Sequence, residues 1–185
     1  MLDTDAVGLH AQHLSGLTIN ARVAIINTVP HALDLARRLG ADEPVDSSQA
    51  DPIAAVMAMT GGLGAEVVFE CADAESMPET LPLPTRLVRR GGSVVIAGGF
   101  DEGETTIALE WQRIQMSEIR LIPSASFAFQ DIHSEKVAVL DLVTRGKLQT
   151  QPLVTHRFPL GRIKDAFATA QERRRTGAIF VGLEI

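Results

Sequence analysis

Two periodicities alternate along the chain. Val7, Ala11, Leu14 and Thr18 recur at the spacing of a helix face, with Gly16 near its end. Val23-Ala24-Ile25-Ile26 is a short run without a polar residue, the pattern of a strand covered on both faces. Pro30 then opens a helix whose apolar stripe is Leu35, Ala36 and Leu39. Arg37 and Arg38 suit its C-terminal dipole, and Gly40 stops it. Asp51-Pro52 starts a third helix, with Ile53, Val56, Met57 and Thr60 facing inward. The turn Thr60-Gly61-Gly62-Leu63-Gly64 leads into a predicted strand over residues 66–70, and a further strand is predicted over 93–97. Between these two, Pro78, Pro82 and Pro84 interrupt any long helix and leave residues 85–90 as its predicted helical part. Residues 119–122 read as a fourth strand, and Pro123 marks an edge or a bulge. Ile132, Lys136, Val139, Leu140 and Val143 form a helix face ended by Gly146. Leu160, Ile163, Phe167 and Ala170 form the last helix, and residues 178–185 read as a terminal strand.

Helices alternating with fully apolar strands indicate an α/β fold with a doubly wound, mostly parallel sheet. That pattern fixes no function. Composition narrows the classes. At 185 residues, 45% hydrophobic and 22% charged, the chain can bury a core without metals or disulfides. A net charge of −6 argues against a general nucleic-acid partner. Cys71 is the one cysteine, which excludes an intramolecular disulfide and a multi-cysteine zinc site. No apolar run approaches the roughly 20 residues of a membrane span. Met1-Leu2-Asp3-Thr4-Asp5 lacks the pattern of a signal peptide. The expected setting is the cytoplasm, with no membrane partner.

Four landmarks occur in order. They are Leu33-Asp34-Leu35-Ala36-Arg37-Arg38-Leu39-Gly40-Ala41-Asp42, the run from Thr60 through Gly64 to Glu70-Cys71, Leu87-Val88-Arg89-Arg90-Gly91-Gly92-Ser93-Val94-Val95, and His156-Arg157-Phe158-Pro159-Leu160. Together they resemble the coenzyme-binding half of the medium-chain dehydrogenase/reductases, the group of zinc alcohol, sorbitol and threonine dehydrogenases. The resemblance covers nearly the whole chain. It implies a Rossmann-like domain over residues 1–151, whose first strand is missing or replaced because only Met1 and Leu2 precede Asp3. It implies that residues 152–185 are the helix and strand that return to a catalytic domain. It also implies NAD or NADP as cofactor, alcohol–carbonyl redox, and cofactor contacts at Val7, Gly8, Asn27, Ala72, Ala97 and Gly98. The family's catalytic zinc ligands sit mainly in an N-terminal catalytic domain without a counterpart here, so no zinc is expected.

The residues depart from the family at the cofactor crevice. A Rossmann turn uses glycines so that backbone approaches the pyrophosphate. In the matching stretch only Gly8 survives, and Asp3 and Asp5 stand where the first two glycines belong. At ~4 Å and an effective dielectric of ~20, each carboxylate–phosphate pair costs roughly 4 kcal/mol. The helix N-terminus offsets only about 1 kcal/mol of this. Asn27 replaces the acidic residue that normally accepts the ribose hydroxyls, and Asp73 stands where the family tends to carry glycine.

Three functions remain open on these residues. The first is an NAD(P)-linked redox module that needs a separate catalytic chain. The second is a repurposed, cofactor-independent cyclase, isomerase or lyase using Asp3, Asp5, His10 or Asp73 as acid–base groups on a small-molecule ligand. The third is a non-catalytic binding protein. A homo-oligomer is expected in each case, because the terminal helix and strand carry an apolar surface without an evident cover. Residues 178–185 are further expected to pair with sheet backbone, from their own chain or a symmetry mate, because the sheet lacks a central strand.

Overall fold

The structure is a computed structural model and describes residues 6–19, 21–72, 76–99, 106–124 and 132–185. The chain opens with helix α1 (Ala6–Ile19), followed by β1 (Ala24–Asn27), α2 (Pro30–Arg38), β2 (Glu43–Asp46), α3 (Pro52–Met59) and β3 (Ala65–Glu70). Two short helices, α4 (Met77–Thr80) and α5 (Pro84–Leu87), lead to the long strand β4 (Val88–Ile96). Then come α6 (Trp111–Met116), β5 (Arg120–Pro123) and α7 (Ile132–Thr144). The last elements are β6 (Val154–Pro159), α8 (Ile163–Gln171), α9 (Arg173–Thr176) and β7 (Phe180–Glu184).

Every ladder among the described residues is parallel. β1 pairs with β2, β3 with β4, and β4 with β5. Consecutive residues of β1 explain the layering, because side chains alternate across a strand. Ile25 enters one core with Leu9, Leu33, Leu35 and Ala36. Ile26 enters the other with Val45, Val56, Val68 and Val94. Both faces of the strand are covered, as its apolar run predicts. The second core takes residues from β1 and β2 on one side and from β3 and β4 on the other. Among the described residues no ladder joins β1 to β3, the position the resemblance gives to a first strand.

Local chemistry starts the helices where the sequence places them. Val29 is extended, and Pro30 sits in the first turn of α2 with its φ already helical. Asp51 caps α3 by accepting a hydrogen bond from the Ile53 amide at 2.9 Å. Pro123 ends β5, which lies at the outer edge of its group.

Three elements differ from the sequence reading. Residues 88–90 are not helical. They begin β4, with Val88 in register with Ala65. A ladder with β3 outweighs the weak helical pattern of so short a segment. β2 carries no apolar run, since only Val45 of its four residues is fully buried. Among the described residues it is an outer strand paired only with β1, where Pro44 is tolerated. The terminal strand does not join β1–β5. It pairs in parallel with β6 of its own chain, from Val154↔Phe180 to Pro159↔Glu184. α8 packs on both strands. β6, α8 and β7 thus satisfy their own backbone as one βαβ unit, the usual way to join parallel neighbours. Leu153 and Ile179 anchor this unit to the core beneath α1 and α2.

No helix among the described residues is long and apolar enough to cross a membrane.

Candidate functional site

Parallel pairing brings the carboxyl ends of the strands to one edge, where open α/β sheets bind ligands. Asn27 pairs with Asp46, and Glu70 with Ile96. These positions frame the candidate site.

Asn27 is 8% exposed. Its side-chain oxygen accepts a hydrogen bond from the Val29 amide at 2.6 Å, and its carbonyl accepts one from the Ser47 amide at 3.0 Å. The side chain therefore stiffens the turn into α2 and presents no charge at the strand end. Asp46 accepts from the Ser48 hydroxyl at 2.6 Å, the Ser48 amide at 2.9 Å and Gln49 Nε2 at 2.8 Å. The hydroxyl bond, then the amide bond, holds its carboxyl below the ordinary range.

Glu70 is the residue that sequence reasoning missed. It is fully buried at the end of β3. Oε1 accepts from the Thr80 hydroxyl at 2.6 Å, and Oε2 from the Ala72 amide at 3.1 Å. Its carbonyl accepts from the amides of Ala97 and Gly98 at 2.8 and 2.9 Å. One side chain thus ties β3, the turn after it and α4 together. The available signal was an acidic residue closing an apolar strand, Val67-Val68-Phe69-Glu70.

Gly98 belongs to the same knot. A Cβ there would lie 2.1 Å from the Met77 methyl, 2.3 Å from the Ala72 carbonyl oxygen and 3.0 Å from Glu70 Oε2. Only glycine fits that approach. Met77 and Ala72 are both buried, at 0% and 1% exposure.

The expected site residues therefore divide. Asn27, Ala97 and Gly98 lie at strand ends, and Ala97 and Gly98 are half-buried. Ala72 is at the edge but covered, so it shapes the crevice and offers no open surface. Gly8 and His10 lie in α1, buried and half-buried respectively. Val7 lies in the first turn of α1. Asp3, Asp5 and Asp73 fall outside the described residues, so the phosphate turn is not part of the described site. Cys71 is buried beside Ala72.

Among the described residues no three His, Cys, Asp or Glu side chains come together to hold a metal ion. Asn27 places a neutral amide at the end of β1, and Ala97 and Gly98 place half-buried backbone just past the end of β4.

Comparison with known proteins places this geometry. The profile of the zinc-binding dehydrogenases matches residues 6–145. A putative D-xylulose reductase of Rhizobium meliloti is 29% identical over 156 residues, covering 84% of this chain and 42% of that protein. The alcohol dehydrogenase TADH of Thermus sp. ATN1 superposes with a TM-score of 0.81 at 24% identity, over 99% of this chain and 50% of that one. A putative zinc-binding dehydrogenase of Sinorhizobium meliloti, bound to NADP, superposes with a TM-score of 0.77 at 28% identity, over 90% of this chain and 47% of that one. The chain spans about half the length of the relatives it matches. With parallel strands, a shared fold and a profile match over most of its length, the chain belongs to the zinc-binding dehydrogenases of the medium-chain dehydrogenase/reductase family.

Proposed function

We propose that this chain is the nucleotide-binding half of a two-part, NAD(P)-linked alcohol–carbonyl oxidoreductase. The carrying observation is that 99% of the chain superposes on half of an alcohol dehydrogenase, with its strand ends gathered at one edge. The bound dinucleotide supplies hydride transfer. Asn27 stands at the ribose position as a neutral amide and does not repel a 2′-phosphate. The backbone at Ala97 and Gly98 lies past the end of β4, and the Glu70 carbonyl holds both amides in place. Residues 152–185, with their open apolar side chains, are the surface that meets a separate catalytic part. The reading also includes assembly into a homo-oligomer and a cytoplasmic setting.

Titration of the purified chain with NADH and NADPH, followed by fluorescence, tests this. Saturable binding weaker than about 100 μM is expected, because Asp3 and Asp5 repel the pyrophosphate. Sub-micromolar binding would overturn the weakened turn and leave an ordinary dehydrogenase domain.

One observation favours a second reading, a cofactor-independent enzyme in the same crevice. The Met77 methyl packs directly on Gly98, so the chain's own side chain fills part of the strand-end space. Absence of NADH and NADPH binding at millimolar concentration selects this reading over the first.

A further inference from the structure

A groove of about 510 Å³ lies between α2 and the β6–β7 unit. None of the strand-end residues described above lines it. Its size falls within the range of small-molecule pockets, roughly 300–1,000 Å³, and exceeds what an inorganic ion alone fills.

One face of α2 supplies most of its polar wall. His31 and Leu35 are four residues apart, and Arg38 follows three later, so consecutive turns present them on one stripe. Asp34 and Arg37 also line the groove and pair with each other at 2.7 Å. That pair cancels its own charge. Arg38 then remains as an uncompensated cation, with no ion pair or hydrogen bond among the described residues. The His31 ring likewise has no hydrogen-bond partner there. On a chain of net charge −6, this is a local positive site.

The opposite wall is built from the terminal unit. Gly177 has φ +72°, and a Cβ on it would lie 2.9 Å from the His31 ring. Glycine there lets the imidazole lie against backbone and fixes it at the groove wall. The Thr155 hydroxyl is already engaged, accepting from the Ile179 amide at 3.0 Å and donating to the Phe180 carbonyl at 3.3 Å. It holds the wall rather than a ligand. Leu35 and Ile179, which belong to one packed core, give the groove an apolar floor.

We propose that this groove binds a small phosphomonoester. The Arg38 guanidinium takes the phosphate through its planar fork, His31 adds a further donor, and the remaining donors of Arg37 face the same space. The apolar floor takes the body of the molecule, which is either a nucleoside or a sugar.

Calorimetric titration of the full chain with inorganic phosphate, AMP and ribose 5-phosphate tests the proposal and separates the two bodies. Saturable binding of AMP or ribose 5-phosphate is expected, tighter than that of inorganic phosphate. Arg38→Glu and Arg38→Gln, both on an exposed side chain, should weaken it at least about tenfold with unchanged melting temperature. Their NADH titration should match that of the parent, since the groove is separate from the strand-end crevice. The proposal is overturned if neither phosphomonoester binds below about 10 mM, or if both variants bind like the parent. Loss of NADH binding in the Arg38 variants would assign the arginine to the dinucleotide crevice and also overturn a separate site.

Discussion

Single side chains hold the strand-end crevice in shape. Glu70 is buried with its oxygens on Thr80 and the Ala72 amide, so removing a donor leaves carboxylate capacity unmet in a low-dielectric place. Thr80→Val keeps the volume and deletes the hydroxyl. It should cost about 1–3 kcal/mol in a denaturant melt, and a neutral result would mean that Glu70 is satisfied elsewhere. Gly98→Val drives a side chain into the Ala72 carbonyl and the Met77 methyl. Because the first is backbone, it cannot rotate away, and a loss of about 1–3 kcal/mol or more is expected from the same measurement. Asp3 and Asp5 act on binding and not on packing. Replacing both with glycine should tighten NADH binding at least about tenfold, read by fluorescence titration. Equal affinities for the parent and the double variant would remove the electrostatic argument.

At the scale of elements, the terminal βαβ unit is the part with least cover. Phe167, Phe180, Leu160 and Leu183 are exposed apolar side chains on α8, β7 and the turn between β6 and α8. The unit is nevertheless bound to the core through Leu153 and Ile179. Deleting residues 178–185 removes β7 and leaves the backbone of β6 as an unpaired edge. The truncated chain should be insoluble or melt more than about 5 °C lower, and an unchanged melting curve would show the segment to be dispensable. A second link joins α5 to the segment before α6 through the Arg86–Glu110 ion pair. The hydrogen bond from Arg86 holds the Glu110 carboxyl below its ordinary range. A carboxylate with a depressed folded-state pKa stabilises the fold above the unfolded-state value of about 4.3, and the contribution fades as pH falls through the folded value. Glu110→Gln should therefore melt below the parent at pH 7 and converge with it in acid. Parallel melting curves at all pH values would show that this exposed pair carries no linkage.

For the whole molecule, open apolar surface argues for association. Besides the terminal unit, Val137, Val139 and Leu140 of α7 and Trp111 and Met116 of α6 are exposed. The expected outcome is a homodimer or larger assembly by light scattering at micromolar concentration. A monomer would show that these side chains are individually solvated surface.

Much of the α/β order was legible in the amino-acid sequence alone. Buried parallel strands must be apolar on both faces, and Val23-Ala24-Ile25-Ile26 and residues 93–97 carry that pattern. Capping chemistry at Pro30 and at Asp51-Pro52 is equally local, so the starts of α2 and α3 could be read directly. β2 could not, because an outer strand needs only one buried side chain, and Val45 supplies it. The start of β4 was also hidden, since Val88 pairs with Ala65 of β3 and no local periodicity marks residues 88–90 as extended. Asn27, Ala97 and Gly98 could be placed at strand ends from ordered landmarks. The knot of Glu70, Thr80, Met77 and Gly98 joins residues up to 28 positions apart and has no periodicity to betray it. The partner of the terminal strand was likewise a tertiary decision. Its apolar pattern demanded a covered ladder, but β6 lies nearby in sequence, and α8 between them makes a parallel pair that satisfies the backbone within one βαβ unit.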